Sequence, residues 1–335
     1  MNSGEKLKIG VLGSGSWATA LVKILCDNTE GKEIHWWIRK PEKCAHISKF
    51  GHNPDYLSSV ELHTESLTLS SDIGSVISSS DLVVLAIPSA FIHTAFSAYG
   101  EDLLKGKKVL SAVKGLIPET KQILGEYLPS FGVNKEDVGV ITGPCHAEEV
   151  AQEKLSYLTV ASENSELVEL GRSILANRYI NTVPSDDIYG TEYSAVLKNV
   201  YAIAAGICHG LGYGDNFLAV LISNAIRETK RFIAAVHPIE RDIDDSAYLG
   251  DLMVTAYSQF SRNRTFGNML GKGYSVKSAQ LEMNMVAEGY YAAETIFEMN
   301  RDLEVDMPII DFVHRVIYKG AKPKAIINSL TEALN

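Results

Sequence analysis

A chain of 335 residues with 46% hydrophobic content is long enough to bury two cores of ordinary domain size. Its formal net charge of −10 disfavours nucleic acid and anionic membrane surfaces as partners, while leaving room for a local basic pocket that takes a small anion. The four cysteines, Cys26, Cys44, Cys145 and Cys208, show no paired zinc-type spacing, so a reduced, cytoplasmic protein without a metal is expected.

The N-terminal "MNSGEKLKIGVLG" passes straight into a strand pattern, so no secretory signal is expected. No apolar run reaches the roughly 18 residues of a membrane span. "KIGVL" (Lys8–Leu12) reads as a strand and "WATALVKILCDN" as the helix after it. "EIHWWI" (Glu33–Ile38) is a second strand. "DLVVLAI" (Asp81–Ile87) is a continuous apolar run stopped by Pro88, the pattern of a strand covered on both faces. Lys108–Val113, Asp137–Thr142, "SYLTVAS" and "YINTVPS" repeat the theme. Strands alternating with helices predict a parallel, doubly wound sheet. Beyond Pro184 the patterns are helical. The fold class is therefore α/β: a Rossmann-like dinucleotide-binding domain over residues 1–184, then an all-α substrate and catalytic domain over 185–335.

"VLGSGSWATAL" supplies Gly13, Gly15 and Ala18 in the G-x-G-x-x-G/A spacing, after a strand and opening a helix. Gly13 permits the tight turn, Gly15 lets a pyrophosphate approach the backbone, and Ala18 permits close helix packing. The second strand ends in Arg39 and Lys40 rather than the acidic residue that binds a ribose 2′-hydroxyl. Arginine there suits the 2′-phosphate of NADP(H), which is expected to be preferred or accepted beside NAD(H); a solvated strand end is the alternative.

Several residues suit chemistry on a substrate. "SAVKGL" sets Lys114 past the C-terminal end of a strand, where open α/β sheets bind ligands. In "ITGPCHAEEVA", Gly143, Cys145 and Ala147 follow another strand end. His146 is either a proton donor or a packed or solvated side chain. Asp251 in "LGDLMVTA" is either a helix cap or the partner of a buried cation. Ser261, Arg262 and Asn263 in "SRNRTFGNMLGKG" set an arginine beside small donors, which suits a phosphate monoester, unless they form a basic surface loop. Glu288 in "MVAEGYYAAE" either meets a cofactor amide or lies on a solvated helix face. "YSAVLKNVYAIAAG" places Lys198 and Asn199 inside an otherwise apolar helix. An ammonium there must snorkel, pair or lose its proton.

Taken in order, "GSGSWATA", "SAVKGL", "GPCHAEEVA", "LKNVYAIAAG", "GDLMVTA" and "SRNRTFGNMLGKG" resemble the soluble bacterial NAD(P)-dependent glycerol-3-phosphate dehydrogenases from about residue 8 to residue 320. The resemblance implies a homodimer that interconverts dihydroxyacetone phosphate and sn-glycerol 3-phosphate for glycerophospholipid synthesis. It implies cofactor contacts from Ser16, Trp17, Arg39, Lys114, Ala147, Arg262, Val286 and Glu288. It implies substrate contacts from Lys114, Gly143, Cys145, Lys198, Asp251, Ser261, Arg262 and Asn263, with Lys198 as proton donor or acceptor. The family more often has Ser at the Cys145 position and an apolar residue at that of His146. Lys114 is expected to lower the pKa of Lys198 and Asp251 to raise it. A β-hydroxyacid dehydrogenase would not need the Ser261-Arg262-Asn263 set. A nucleotide-sensing regulator without turnover would not need Lys114, Lys198 and Asp251 together.

Overall fold

The computed structural model describes residues 6–28, 32–283 and 287–335. The chain divides into two units, Met1–Val113 with Gln122–Ile188, and Lys114–Lys121 with Tyr189–Asn335. Among the described residues the first unit holds eight strands: β1 (Leu7–Leu12), β2 (Lys32–Trp37), β3 (Leu67–Ser70), β4 (Leu82–Leu85), β5 (Lys108–Ser111), β6 (Val138–Thr142), β7 (Ser156–Ala161) and β8 (Ile180–Ser185). Its helices are α1 (Ser16–Asp27), α2 (Pro41–Phe50), α3 (Ile73–Ser78), α4 (Ile92–Phe96), α5 (Leu124–Tyr127), α6 (Ala147–Ala151) and α7 (Ser165–Leu175).

One sheet runs in the order β3-β2-β1-β4-β5-β6-β7-β8. β1 to β6 are parallel, with Val11 beside Trp36 on one side and Val84 on the other. The strand order reverses about β1, the place where sheets of this kind take ligands. The apolar runs are buried on both faces, and Ile9, Val11, Leu21, Ile24, Trp36, Val84 and Leu110 belong to one core. The short, half-exposed β3 carries too little apolar pattern to be expected from sequence.

The alternation of strands and helices predicts a parallel sheet, but β7 runs antiparallel to β6. The only helix between them, α6, has five residues. It rises about 7.5 Å, short of the roughly 17 Å needed to return along a five-residue strand. The eleven-residue α7 is long enough, and β8 pairs parallel with β7.

The second unit is helical: α8 (Ile188–Gly210), α9 (Asp215–Val236), α10 (Asp251–Tyr257), α11 (Arg262–Gly271), α12 (Val276–Glu282), α13 (Glu288–Leu303), α14 (Pro308–Tyr318) and α15 (Pro323–Ala333). No helix among the described residues is long and apolar enough to cross a membrane. α8 is apolar all round and correspondingly central; Val200 to Ala205 are wholly buried.

Close crossing of α8 and α11 requires glycine on both. A Cβ on Gly267 would lie 2.1 Å from the Ile203 carbonyl oxygen, and one on Gly206 2.1 Å from that of Arg264. Helix backbone cannot yield as a side-chain tip can, so Gly267→Ala should destabilise by about 1–3 kcal/mol or more. Urea unfolding would show this as a lower midpoint with an unchanged slope.

Glu228 on α9 is fully buried and accepts the Ile309 amide of α14 at 2.7 Å. Burial pushes its carboxyl up to about 8, against the opposing pull of the Ile309 amide and the Arg231 charge. Between the ordinary value of 4.5 and 8, the unfolded chain releases this proton while the folded chain keeps it. That contribution to stability is full below pH 4.5 and is lost as pH rises through 8. Glu228→Gln keeps the amide acceptor and removes the titration. Its melting temperature relative to wild type should therefore climb between pH 4.5 and 8, as calorimetry would show.

Candidate active site

Lys198 lies in the buried middle of α8 and is 4% exposed. It neither snorkels nor stands unpaired. Its Nζ donates to Asp251 Oδ1, and the second carboxylate oxygen, Oδ2, receives Lys114 Nζ at 3.4 Å. Asp251, 1% exposed, opens α10 after a single π-type turn over Ser246–Gly250. It is the first helical residue rather than a cap, so its carboxylate stands between two ammonium groups.

Charge balance in this triad decides the state of Lys198. Burial is the largest influence and favours the neutral amine; the Lys114 charge adds to it. The Asp251 carboxylate opposes both. The net effect lowers the pKa from 10.5 to about 7, so the site can lose and regain a proton near neutrality.

An amide relay holds the groups around it. Asn199 Nδ2 donates to the Lys114 carbonyl at 2.9 Å, and Asn199 Oδ1 accepts from Asn263 Nδ2 at 2.9 Å. Asn263 Oδ1 in turn accepts the Gly289 amide at 2.9 Å. One chain of amides thus ties the Lys114 segment, α8, α11 and the start of α13. Sequence reasoning left Asn199 without a role, although a buried amide in an apolar helix must find partners.

Ser261 caps α11, accepting the Arg264 amide at 3.2 Å. Arg262 follows as the first helical residue and is exposed, while Ser261 and Asn263 are buried. Glu288 begins α13, half-buried, and its Oε2 has no hydrogen-bond partner among the described residues. Burial raises its carboxyl to about 7, against the charges of Arg262, Lys114 and Lys198. Val286 lies outside the described residues.

The remaining candidates belong to the first unit. Gly13, at the end of β1, has φ +129°, and a Cβ there would lie 2.4 Å from the Ala86 carbonyl oxygen. Around a Cβ on Gly15 there would be open space, so a ligand can approach. Ser16 and Trp17 start α1, and Ala18 is buried against the core as the fingerprint requires. Arg39 and Lys40 are exposed between β2 and α2, near enough to Lys43 to lower its pKa after burial has done so. Lys43 pairs with the Asp55 carboxylate, so Arg39 and Lys40 are the two exposed cations of this cluster.

Gly143, at the end of β6, has φ +118°, and a Cβ would meet the Tyr157 carbonyl oxygen at 2.7 Å. The Cys145 thiol donates to that same carbonyl at 3.2 Å. His146 is the N-cap of α6 and Ala147 its first residue, buried. Ends of β1, β2 and β6 thus carry the first-unit candidates, while Lys114, Lys198, Asp251, Asn263 and Glu288 gather in the second unit.

Comparison with known proteins adds an independent line. The family described as NAD-dependent glycerol-3-phosphate dehydrogenase matches with its N-terminal part over residues 8–168 and its C-terminal part over residues 187–328. A glycerol-3-phosphate dehydrogenase [NAD(P)+] of Salinibacter ruber is 32% identical over 324 residues, covering 96% of this chain and 93% of the relative. One from Bacillus subtilis is 33% identical over 327 residues, with the same shares covered. The crystal structure of glycerol-3-phosphate dehydrogenase from Coxiella burnetii superposes with a TM-score of 0.89 at 28% identity, covering 98% of this chain and 99% of that one. Both units match along nearly their whole length, and the chain therefore belongs to the NAD-dependent glycerol-3-phosphate dehydrogenase family.

Proposed function

We propose that this protein is an NAD(P)-dependent glycerol-3-phosphate dehydrogenase that interconverts dihydroxyacetone phosphate and sn-glycerol 3-phosphate, with Lys198 as the proton donor and acceptor. The observation that carries this reading is the Lys114–Asp251–Lys198 triad, in which Asp251 and Lys198 are buried and Lys114 is half-buried. A carbonyl being reduced gains negative charge on oxygen, and a buried ammonium of lowered pKa both stabilises that charge and delivers the proton. Asp251 holds the ammonium in place, and Lys114 keeps its pKa from rising. Ser261, Arg262 and Asn263 take the substrate phosphate, so binding remote from the carbonyl positions the reacting carbon. Asn263 has one amide hydrogen left for this task after its bond to Asn199. Gly143 and Cys145 join the substrate set through their shared motif.

The residues present suit a dinucleotide. Gly15 leaves open space beside the start of α1, the Arg39 cluster suits a 2′-phosphate, and the unpartnered Glu288 Oε2 suits an amide donor. When bound, the reduced nicotinamide supplies the hydride. Ser16, Trp17, Lys114, Ala147, Arg262 and Val286 complete the proposed cofactor set. Arg39→Asp should raise KM for NADPH by roughly 10–100-fold and shift the preference toward NADH. An unchanged preference would remove Arg39 from the site.

The product supplies glycerophospholipid synthesis. Cys26, Cys44, Cys145 and Cys208 stand as thiols, which supports a reducing, cytoplasmic setting. A homodimer is part of the proposal and is checked by light scattering. The deciding experiment follows the reduced-nicotinamide absorbance with dihydroxyacetone phosphate and with unphosphorylated dihydroxyacetone. Turnover of the phosphorylated ketone is expected to exceed the residual turnover of dihydroxyacetone by orders of magnitude; equal turnover, or none with either, would overturn the reading.

A further inference from the structure

The glycine-rich loop of the first unit has its carbonyl oxygens captured one after another. Trp36 on β2, wholly buried, donates its indole N–H to the Gly13 carbonyl at 2.6 Å. Asn53, in the turn after α2 and 1% exposed, donates from Nδ2 to the Ser14 carbonyl at 3.1 Å and to Thr19 Oγ1 at 2.8 Å. Thr19 Oγ1 in turn donates to the Gly15 carbonyl at 3.0 Å. The orientation of the Asn53 amide is fixed by its neighbours. Its Oδ1 faces the backbone amides of Asp55 at 3.0 Å and Tyr56 at 3.3 Å, which can only donate.

This matters because a trans peptide sets its C=O and N–H in opposite directions. Holding the Gly13 oxygen on Trp36 turns the Ser14 N–H away from Trp36. Holding the Ser14 oxygen on Asn53 turns the Gly15 N–H away from Asn53. The Gly15 oxygen, taken by the Thr19 hydroxyl and amide, leaves the Ser16 N–H at the open start of α1. Ser14, Gly15 and Ser16 accordingly present three consecutive amides with no acceptor among the described residues. Three such amides suit an anion.

We propose that Trp36 and Asn53 are positioning residues for cofactor binding, fixing the peptide planes of the Gly13–Gly15 loop so that its amides are set for the pyrophosphate before it arrives. The proposal rests on the dinucleotide reading of this loop. Without these anchors the Gly13–Ser14 and Ser14–Gly15 peptides can rotate, and the ligand must reorder them on binding, which weakens affinity.

Trp36→Phe keeps an aromatic ring in the core and removes the indole donor; Asn53→Ala removes the other. Fluorescence titration gives Kd for NADPH and NADH, with kcat and KM for dihydroxyacetone phosphate measured at saturating cofactor and a thermal melt for each variant. Each variant should weaken both cofactors by the same factor, roughly ten-fold. The NADPH-to-NADH ratio and kcat should stay within two-fold of wild type, because the pyrophosphate is common to both cofactors. A folded variant with both Kd values within two-fold of wild type would overturn the proposal. So would a loss confined to one cofactor, or one seen in kcat alone. If Asn53→Ala does not fold, Trp36→Phe decides by itself. Wild-type protein that binds neither cofactor would overturn the dinucleotide reading, and this proposal with it.

Discussion

Lys198→Met is expected to lower kcat for ketone reduction by about 10²–10⁴ while leaving Kd for NADPH near its wild-type value. Methionine matches the length and apolar stem of lysine, so α8 keeps its packing. What disappears is the ammonium proposed to neutralise the forming alkoxide and supply its proton. Lys114 still pairs with Asp251 at 3.4 Å, so the carboxylate is not left alone. Asp251→Asn is the harsher change, since it leaves two neighbouring ammonium groups without their counter-charge. The pH dependence carries the sign of the mechanism. In the proposed role of Lys198 as the acid in reduction, its pKa near 7 makes kcat/KM in that direction fall as pH rises through about 7. In the proposed role of base in oxidation, it makes kcat/KM in that direction fall as pH drops through the same region. Both limbs should vanish in Lys198→Met; near wild-type kcat in that variant would refute the proton-transfer role.

Arg262→Ala is expected to reduce kcat/KM for dihydroxyacetone phosphate by about 10²–10⁴, mostly through KM, since two charge-assisted hydrogen bonds to a phosphate are each worth about 1.5–3 kcal/mol. The residual activity on unphosphorylated dihydroxyacetone should not change, because that substrate has nothing for the guanidinium to hold. Steady-state kinetics on the two ketones separates this role from a general loss of structure, which would depress both. Arg262 also lowers the Glu288 pKa by its charge, so removing it should keep the Glu288 carboxyl protonated to higher pH. A fall in kcat/KM that is equal for both ketones would place Arg262 outside the phosphate site.

Much of this was legible from sequence because the signals are local. β1, α1 and the Gly13–Ala18 fingerprint announce themselves through apolar periodicity and turn chemistry within a dozen residues. The oddness of Lys198 in an apolar helix is equally local, and marks the residue before any partner is known. The antiparallel entry of β7 was less visible, because it depends on a one-turn helix whose length no periodicity reveals. The roles of Asn199, Trp36 and Asn53 are not legible from sequence: each is a single polar group whose meaning lies in an acceptor or donor far along the chain. Asn53 reaches Ser14 across 39 positions and Trp36 reaches Gly13 across 23.

Local patterning carried the fold class, the location of the glycine-rich loop and a short roll of candidates for chemistry. It left open whether Asp251 caps a helix and which influence governs the Lys198 pKa. Three-dimensional packing answers both, because each turns on which charges share a desolvated space. Burial, the largest effect on Lys198, is a property of everything packed around α8 rather than of any stretch of chain.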